Sequence, residues 1–268
     1  MIGMNGGLLG ARRIPAPNDG PGVWTGNEQA LLKRASTWVN DPSFSSVSLL
    51  LHMDGSNGST TFTDNSSNAL TVTANGNAQI STAQSKFGGA SALFDGTGDW
   101  LSSSTNTALD LAGGDFTVEA YIYLSALAAP NNDSSRVCTV AAYGSGTVNT
   151  GYSFYINQTN NSLNFFATGT GNGASASYTF ALSTWYHIAA TRSGTTSRLF
   201  VDGALLTLST NTFQNNSAPT GTLRIGSERL FTGYNHDLNG YIDDLRITKG
   251  IARYTAAFTP PTAPFPNF

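Results

Sequence analysis

The chain has 268 residues, 40% of them hydrophobic, which is enough to build the core of one large domain. Only 11% are charged, and 13 basic and 16 acidic side chains give a net charge of −3. The basic residues form no stripe with interleaved aromatics, which argues against nucleic acid as a partner. No apolar run is long enough for membrane insertion. A single cysteine, Cys138, excludes an intrachain disulfide, so packing must stabilise the fold.

Residues 1–47 are predicted to form an attachment arm with a short helix. The first seven residues lack a charged region followed by an apolar stretch, so no secretory signal is predicted and synthesis in a reducing cytoplasm is expected. Three prolines among the glycines of residues 12–22 exclude a helix there. Thr25 and Glu28 have capping-box spacing, which predicts a docked helix over residues 27–37. The arm residues expected to make contacts are Arg12, Arg13, Trp24, Leu31, Leu32 and Trp38.

Residues 48–258 have the pattern of many short strands joined by turns. In FTVEAYIY (116–123) alternate residues are apolar, which predicts a half-buried strand. LFV (199–201) runs into Asp202-Gly203, which predicts a tight hairpin. Further strands are predicted at 48–53, 152–156, 163–166, 185–191, 223–225 and 242–247. The pattern predicts an all-β, two-sheet antiparallel sandwich or jelly roll.

Residues 259–268 carry four prolines among apolar residues. Such a segment cannot continue a central strand, and it favours an extended backbone. We expect a C-terminal tail that Phe265 and Phe268 hold along the sandwich.

A series of landmarks in the region 48–258 resembles the laminin-G-like (concanavalin A-like) jelly roll. In chain order they are FGGA (87–90), LFDG (93–96), DWL (99–101), FTVEAY (116–121), WYHIA (185–189), LFVDG (199–203), LRIG (223–226) and NGYIDDLRI (239–247). The resemblance implies this fold for residues 48–258. It does not imply a single function, because function depends on the site that a fold carries.

The two ends of the chain resemble segments of bacteriophage proteins. The motifs GLLG (7–10), GVWT (22–25) and STW (36–38) are similar to N-terminal segments of tail-associated virion proteins. The motifs TKGIARYT (248–255) and FTPP (258–261) are similar to laminin-G-like modules of phage structural proteins. This resemblance implies a location in the virion, with other virion proteins and copies of the chain itself as partners.

The sequence argues against an enzyme. Retaining glycoside hydrolysis needs two carboxylates about 5 Å apart, and the jelly-roll glucanases that the fold resembles supply them from a Glu-x-Asp-x-Glu strand. The only glutamates are Glu28, Glu119 and Glu228, and none lies in such a motif. The chain also lacks a Gly-x-Ser-x-Gly motif and any zinc-type spacing of His or Cys.

Calcium is the one cofactor that the sequence leaves open. It takes six to eight oxygen ligands, and the resemblance implies that such a site could lie at a rim of the sandwich. Asp64 opens an oxygen-rich turn, and Asp243 is expected to point inward because it alternates with Leu245 and Ile247. Asp64 and Asp243 are therefore candidate calcium ligands. The alternative for Asp243 is a carboxylate that accepts N–H bonds from a loop.

A candidate glycan-binding site combines two strands. Glu119, Tyr121 and Tyr123 share one strand face, and Trp185 and His187 share another. Aromatic rings beside hydroxyls and carboxylates suit sugars if these strands are neighbours and the rings are exposed. In the alternative interpretation, loops or the Pro-rich tail cover the aromatic residues, and the loops 131–136, 168–173 and 230–237 are alternative rims for a glycan.

Two functional hypotheses follow. The first is a non-enzymatic virion structural protein, associated with a tail or fibre or decorating a capsid, whose jelly roll adheres to host-surface glycans. The second is a free, calcium-dependent carbohydrate-binding lectin.

Overall fold

The computed structural model describes residues 40–111, 113–129, 135–144, 151–166, 173–212, 220–228 and 236–268. The chain divides into two compact units, Met1–Asn40 and Asp41–Phe268. All the elements below belong to the second unit, which starts six residues before the first strand. In the described ranges, no helix has the length and apolar character needed to cross a membrane.

The second unit is built almost entirely of strands. In chain order they are β1 (Val47–Leu51), β2 (Thr61–Thr63), β3 (Thr71–Asn75), β4 (Gln79–Ser81), β5 (Ser91–Asp95), β6 (Trp100–Ser103), β7 (Phe116–Leu124), β8 (Val137–Gly144), β9 (Tyr152–Asn157), β10 (Ser162–Phe166), β11 (Gly173–Ser177), β12 (Trp185–Ser193), β13 (Thr196–Val201), β14 (Ala204–Leu205), β15 (Leu208–Asn211), β16 (Thr222–Ile225) and β17 (Asn239–Lys249). Two short 3₁₀ helices cover Phe44–Ser46 and Thr107–Leu109.

The strands form two antiparallel sheets. Sheet 1 has the order β14-β13-β12-β7-β17-β5-β4, and β1 pairs with the second half of β17. Sheet 2 has the order β15-β11-β10-β9-β8-β16-β6-β3-β2. The predicted all-β, two-sheet antiparallel sandwich is therefore confirmed.

The main core fills the space between the two sheets. On β7, alternate residues Phe116, Val118 and Ile122 face this core, as the period of two predicts. From sheet 2, the ring of Phe165 stacks on Phe116 at 4.8 Å and on Tyr152 at 5.4 Å. Cys138 is buried among these side chains and is a packing residue.

The predicted hairpin at Asp202-Gly203 is present. Val201 pairs with Ala204, so two residues form the turn, and both have positive φ values, 47° for Asp202 and 75° for Gly203. Positive φ at both central residues is the geometry that Asp-Gly favours. A Cβ at Gly203 would also lie 1.9 Å from the carbonyl oxygen of Phe258, so the close approach of the C-terminal segment requires glycine here.

A bulge in β17 corrects the predicted orientation of Asp243. Asp243 pairs with Tyr121 and Arg246 pairs with Glu119, so two residues of β17 lie opposite one residue of β7. Asp244 takes up the extra residue with a φ of 47°. The bulge breaks the alternation, so Leu245 and Ile247 face the core while Asp243 lies beside Tyr121 on the outward face. The prediction that Asp243 points inward with Leu245 is wrong for this reason.

Candidate functional site

The predicted glycan-binding residues lie together on the outward face of sheet 1. The strands β7 and β12 are neighbours, with Trp185 opposite Tyr123 and His187 opposite Tyr121. Glu119 is the next residue of β7 on the same face, and its carboxylate lies 3.1 Å from the ring of His187. The required adjacency is thus present, but exposure differs within the group. Tyr123 and Trp185 are half-exposed, whereas the other three are at most 1% exposed.

The cover over these three residues is the C-terminal segment 251–268, here called the C-terminal strap. The hydroxyl of Tyr121 donates to the carbonyl oxygen of Pro261, and Phe265 packs on Tyr121 in a small second core. The amide N–H of Phe258 donates to the carbonyl oxygen of Gly203 at 2.9 Å. The alternative interpretation, in which the Pro-rich tail covers the aromatics, holds for Glu119, Tyr121 and His187. No ligand can contact these three while the strap is in place.

A network of four charged side chains connects the strap, through its Arg253, to the face of sheet 1. Glu119 accepts from Arg246 at 2.8 Å, Arg246 also donates to Asp41 at 3.1 Å, and Arg253 donates to Asp41 at 2.7 Å. The second carboxylate oxygen of Glu119 accepts from the hydroxyl of Tyr254 at 2.8 Å. Two carboxylates thus balance two guanidinium groups, as buried charges require.

This network fixes the ionisation of Glu119. Burial by itself raises the pKa of Glu119, but Arg246, His187 and Arg253 outweigh it and lower that pKa to about 2. The carboxylate therefore stays ionised and fully hydrogen-bonded, which suits a structural role. Asp41 accepts from both guanidinium groups of this network, and no periodic signal in the sequence marks it.

The two candidate calcium ligands have different environments. Both oxygens of Asp64 are occupied: they accept from the backbone N–H groups of Leu50, Ser66 and Leu70 and from the hydroxyl of Ser66, at 2.8–3.0 Å. A carboxylate offers about four acceptor positions, and Asp64 uses all of them to form its turn. The prediction that Asp64 is a calcium ligand therefore does not fit its geometry.

Only one of the two carboxylate oxygens of Asp243 is hydrogen-bonded. Its Oδ2 atom accepts from the N–H groups of Lys86 and Phe87 at 2.7 and 3.0 Å, which is the loop-binding role considered for it. Its Oδ1 atom is buried with no hydrogen-bond partner. Burial, together with the nearby charges of Asp244 and Asp54, raises the pKa of Asp243 to about 7. The carboxylate of Asp54 lies against Gly88 in the same loop. Within the described ranges, no three His, Cys, Asp or Glu side chains converge as a metal site.

A second cluster lies on the outward face of sheet 2, and of its members the sequence indicated only His236, as part of the alternative rim 230–237. Its members are Ser153, Tyr155, Phe166, Glu228 and His236, here called the sheet-2 cluster. The hydroxyl of Ser153 donates to Glu228 at 2.6 Å, and the ring of His236 lies 3.5 Å from the same carboxylate oxygen. The ring of Tyr155 lies 5.8 Å from Phe166 and is stacked on His236 at 6.5 Å.

The cluster combines a carboxylate with aromatic surface. Glu228 is 6% exposed, whereas Tyr155, Phe166 and His236 are half-exposed. Burial raises the pKa of Tyr155, and the charge of Glu228 adds to this effect, so the phenol stays a hydrogen-bond donor. The alternation of Ser153 and Tyr155 marks an outward strand face, but Glu228 reaches it from beyond the end of β16, which no local pattern predicts.

The six predicted arm residues, Arg12, Arg13, Trp24, Leu31, Leu32 and Trp38, lie outside the described residues, as does the helix predicted over residues 27–37. Their attachment role stays a prediction.

A family profile described as the concanavalin A-like lectin/glucanases superfamily (Laminin_G_3) matches residues 95–252, more than half of the chain. The chain belongs to this superfamily. The match includes the landmarks from DWL to NGYIDDLRI, so the laminin-G-like resemblance is confirmed. As a member of the superfamily, the chain has a jelly roll of the type found in both lectins and glucanases.

Solved structures support the same fold. The binding domain of Paraclostridial Mosquitocidal Protein 1 matches with a TM-score of 0.55 and 13% identity, over 78% of this chain and 50% of that one. Domain 4 of AbnA, a GH43 extracellular arabinanase from Geobacillus stearothermophilus in complex with arabinotriose, gives 0.54 and 14%, over 77% and 94%. The binding domain of Botulinum Neurotoxin DC in complex with SialylT gives 0.53 and 17%, over 78% and 50%.

This superfamily member spans about half the length of the two toxin binding domains. At these identities the similarity shows the fold alone. No curated protein matches the chain.

Proposed function

We propose that this protein is a non-catalytic glycan-binding module and that the sheet-2 cluster binds the glycan. The observation that carries the proposal is the buried carboxylate of Glu228 beside the half-exposed rings of Tyr155 and Phe166. A carboxylate accepts hydrogen bonds from sugar hydroxyls, and aromatic faces pack against the apolar side of a sugar ring. The complexes of AbnA domain 4 with arabinotriose and of the neurotoxin domain with SialylT support a saccharide as the ligand class.

We expect Tyr155→Ala and Glu228→Gln each to weaken glycan binding at least about tenfold, which corresponds to about 1.4 kcal/mol. The first change removes the stacking surface, and the second removes the charge of the acceptor at nearly constant shape. Binding is measured on a glycan array and then by calorimetry with the strongest ligand. Thr73→Ala, an exposed residue of β3 in the same sheet, is the matched control and should bind like the unmodified chain. Equal binding by all three variants would contradict the assignment.

We also propose that the module is part of a bacteriophage particle, with other virion proteins and further copies of the chain as partners. The support is the resemblance of both chain ends to phage proteins and the Pro- and Gly-rich composition of residues 12–22. Deletion of residues 1–40 should abolish incorporation into particles, as seen by electron microscopy and by protein analysis of purified virions. Normal incorporation of the shortened chain would oppose the attachment role of the arm.

One observation favours calcium binding, which the free-lectin alternative requires. Asp243 presents a buried oxygen without a partner, and Asp54 approaches the same loop. Burying an uncompensated carboxylate is unfavourable, and a bound cation would relieve this cost. Asp243 and Asp54 would supply carboxylate oxygens, and the ion would stabilise the loop that joins β4 to β5.

We expect millimolar calcium to raise the melting temperature by about 5–10 °C if it exceeds the dissociation constant about 100-fold. A chelator should reverse the shift, and Asp243→Asn should abolish it, because asparagine can keep the bonds to the loop N–H groups without the charge. Asp95→Asn removes an exposed carboxylate and should leave the shift intact. A calcium shift that persists in Asp243→Asn would rule out this site. The glycan array with and without chelator then tests whether glycan binding depends on calcium.

A further inference from the structure

Five half-exposed side chains form a straight row across the outward face of sheet 1. Strand pairing places them opposite one another in the order Gln79, Leu93, Tyr241, Tyr123 and Trp185, on β4, β5, β17, β7 and β12. Because neighbouring strands lie about 4.8 Å apart, this cross-strand row is about 19 Å long.

Three of the five are aromatic and adjacent. The ring of Tyr123 lies 5.6 Å from that of Trp185 and 5.7 Å from that of Tyr241. The planes are inclined to one another by 53° and 78°, so ring faces and ring edges alternate along the row. Among the described residues, neither the two phenol hydroxyls nor the indole N–H has a hydrogen-bond partner. The row therefore combines apolar ring surface with hydroxyl and indole N–H groups that can bind a ligand.

The row is narrow. On one side, the next outward positions of the same strands are His187, Tyr121 and Asp243, which are buried beneath Phe265 and the loop at Lys86-Phe87. On the other side, the next outward positions of β5 and β17 are Asp95, which is exposed, and its partner Asn239, which is half-exposed. Beyond β7 and β12 the chain turns, and the N–H of Ser125 donates to the carbonyl oxygen of Asn239 while the N–H of Ser183 donates to that of Leu124. The exposed strip is therefore one side chain wide at Tyr123 and Trp185 and two wide at Leu93 and Tyr241, and the strap and the loop border it along one edge.

We propose that this cross-strand row is a second saccharide-binding groove, for an uncharged, linear oligosaccharide lying across the strands. The five side chains carry no charge, and the exposed carboxylate of Asp95 beside Leu93 would repel an anion, so a neutral ligand is favoured. A typical protein partner needs about 800 Å² of contact on each side, and a strip one or two side chains wide cannot supply it. A sugar chain fits such a strip, because aromatic faces and edges pack on its rings while hydroxyl and indole groups hydrogen-bond to it.

The competing explanation is that the aromatic pairs only stabilise the sheet. Cross-strand aromatic pairs contribute about 0.2–1 kcal/mol each, so this explanation predicts a small loss of stability and no effect on any ligand. The tyrosine hydroxyls distinguish the sugar-binding explanation from the purely structural one. Removing a hydroxyl from a half-exposed tyrosine should weaken sugar binding and leave the folded state nearly unchanged.

The test uses the full chain carrying Tyr155→Ala and Glu228→Gln, so that binding at the sheet-2 cluster is weakened. Linear oligosaccharides of glucose, xylose and arabinose are the probes, and binding is measured by calorimetry and by saturation-transfer NMR. We expect at least one probe to bind this background. Adding Trp185→Ala should weaken it at least about tenfold, and Tyr123→Phe with Tyr241→Phe should weaken it severalfold. Leu205→Ala, an exposed residue at the far edge of sheet 1, is the control and should change nothing.

Two results would overturn the second groove: no probe binds the background, or the tyrosine-to-phenylalanine pair and Trp185→Ala both bind like the background. Thermal unfolding of each variant shows whether it is folded, and the tyrosine pair keeps the test valid if Trp185→Ala unfolds. The outcome is independent of the sheet-2 proposal. If Tyr155→Ala and Glu228→Gln leave glycan binding unchanged while Trp185→Ala reduces it, the sheet-2 site fails and the cross-strand row stands.

Discussion

Glu119→Gln is expected to lower the free energy of unfolding by about 3–5 kcal/mol, because it removes one partner from a buried ion network. Arg246 would keep its charge at 4% exposure and retain only Asp41, which it already shares with Arg253. The measurement is urea denaturation followed by circular dichroism. Asp95→Asn, which removes an exposed carboxylate, should change the stability by less than about 0.5 kcal/mol.

A double variant separates charge imbalance from lost packing. Glu119→Gln with Arg246→Met removes one charge of each sign and leaves Asp41 paired with Arg253. Because a buried pair can often be replaced by neutral side chains at little cost, the double variant should be more stable than Glu119→Gln alone. If it is less stable than the single variant, charge imbalance is not what Glu119 prevents.

Acid provides the same test without a substitution. The pKa of Glu119 in the folded chain is about 2, below its ordinary value of 4.5. A lowered pKa means that the stabilisation is fully present above about pH 4.5 and is lost as the pH falls through about 2. Stability measured between pH 5 and 2 should therefore fall more steeply for the unmodified chain than for Glu119→Gln. Parallel curves would show that Glu119 is not the group responsible.

The local patterns of this sequence were sufficient for the fold class, although they predicted a half-buried β7 and the strap buries its outward face at all but one position. The alternation in β7 and the Asp-Gly turn after β13 depend on neighbouring residues only, and both appear where they were predicted. Asp243 shows where such reasoning ends. A bulge inserts one residue into β17, and nothing in the local sequence pattern indicates it. Simple alternation counted back from Leu245 therefore assigns every side chain of β17 before Asp244 to the wrong face of the sheet.

The local sequence patterns predicted the candidate site only in part. The strand patterns placed Tyr123 and Trp185 on one face each and left open whether the two strands are neighbours, which the pairing of β7 with β12 now shows. The exposure of Glu119, Tyr121 and His187 depends on the strap, which lies more than a hundred residues after Tyr121 in the chain. The strap covers these side chains through contacts that exist only when the whole sheet has formed. Glu228 joins Ser153 across 75 positions, so no spacing rule could have related them.

Phe265→Ala is expected to destabilise the chain by about 3 kcal/mol and to detach the C-terminal strap. Phe265 is 2% exposed, packs with Val47, Leu50 and Tyr121, and has the guanidinium of Arg246 stacked 3.9 Å above its ring. Loss of a buried phenylalanine typically costs about 3–5 kcal/mol, and the lower value applies because a surface segment can relax more than a central strand. Urea denaturation gives the loss in stability.

Amide hydrogen exchange shows where that loss occurs. The N–H of Phe265 donates to Asp244 and the N–H of Phe258 donates to Gly203, so both amides should exchange faster in Phe265→Ala if the strap detaches. Phe268→Ala is the matched control, because its side chain is 37% exposed and its backbone carbonyl can still accept from the N–H of Asp41. Faster exchange throughout β7 and β17, rather than in the strap, would mean that Phe265 stabilises the whole sandwich and that the strap does not open as a separate unit.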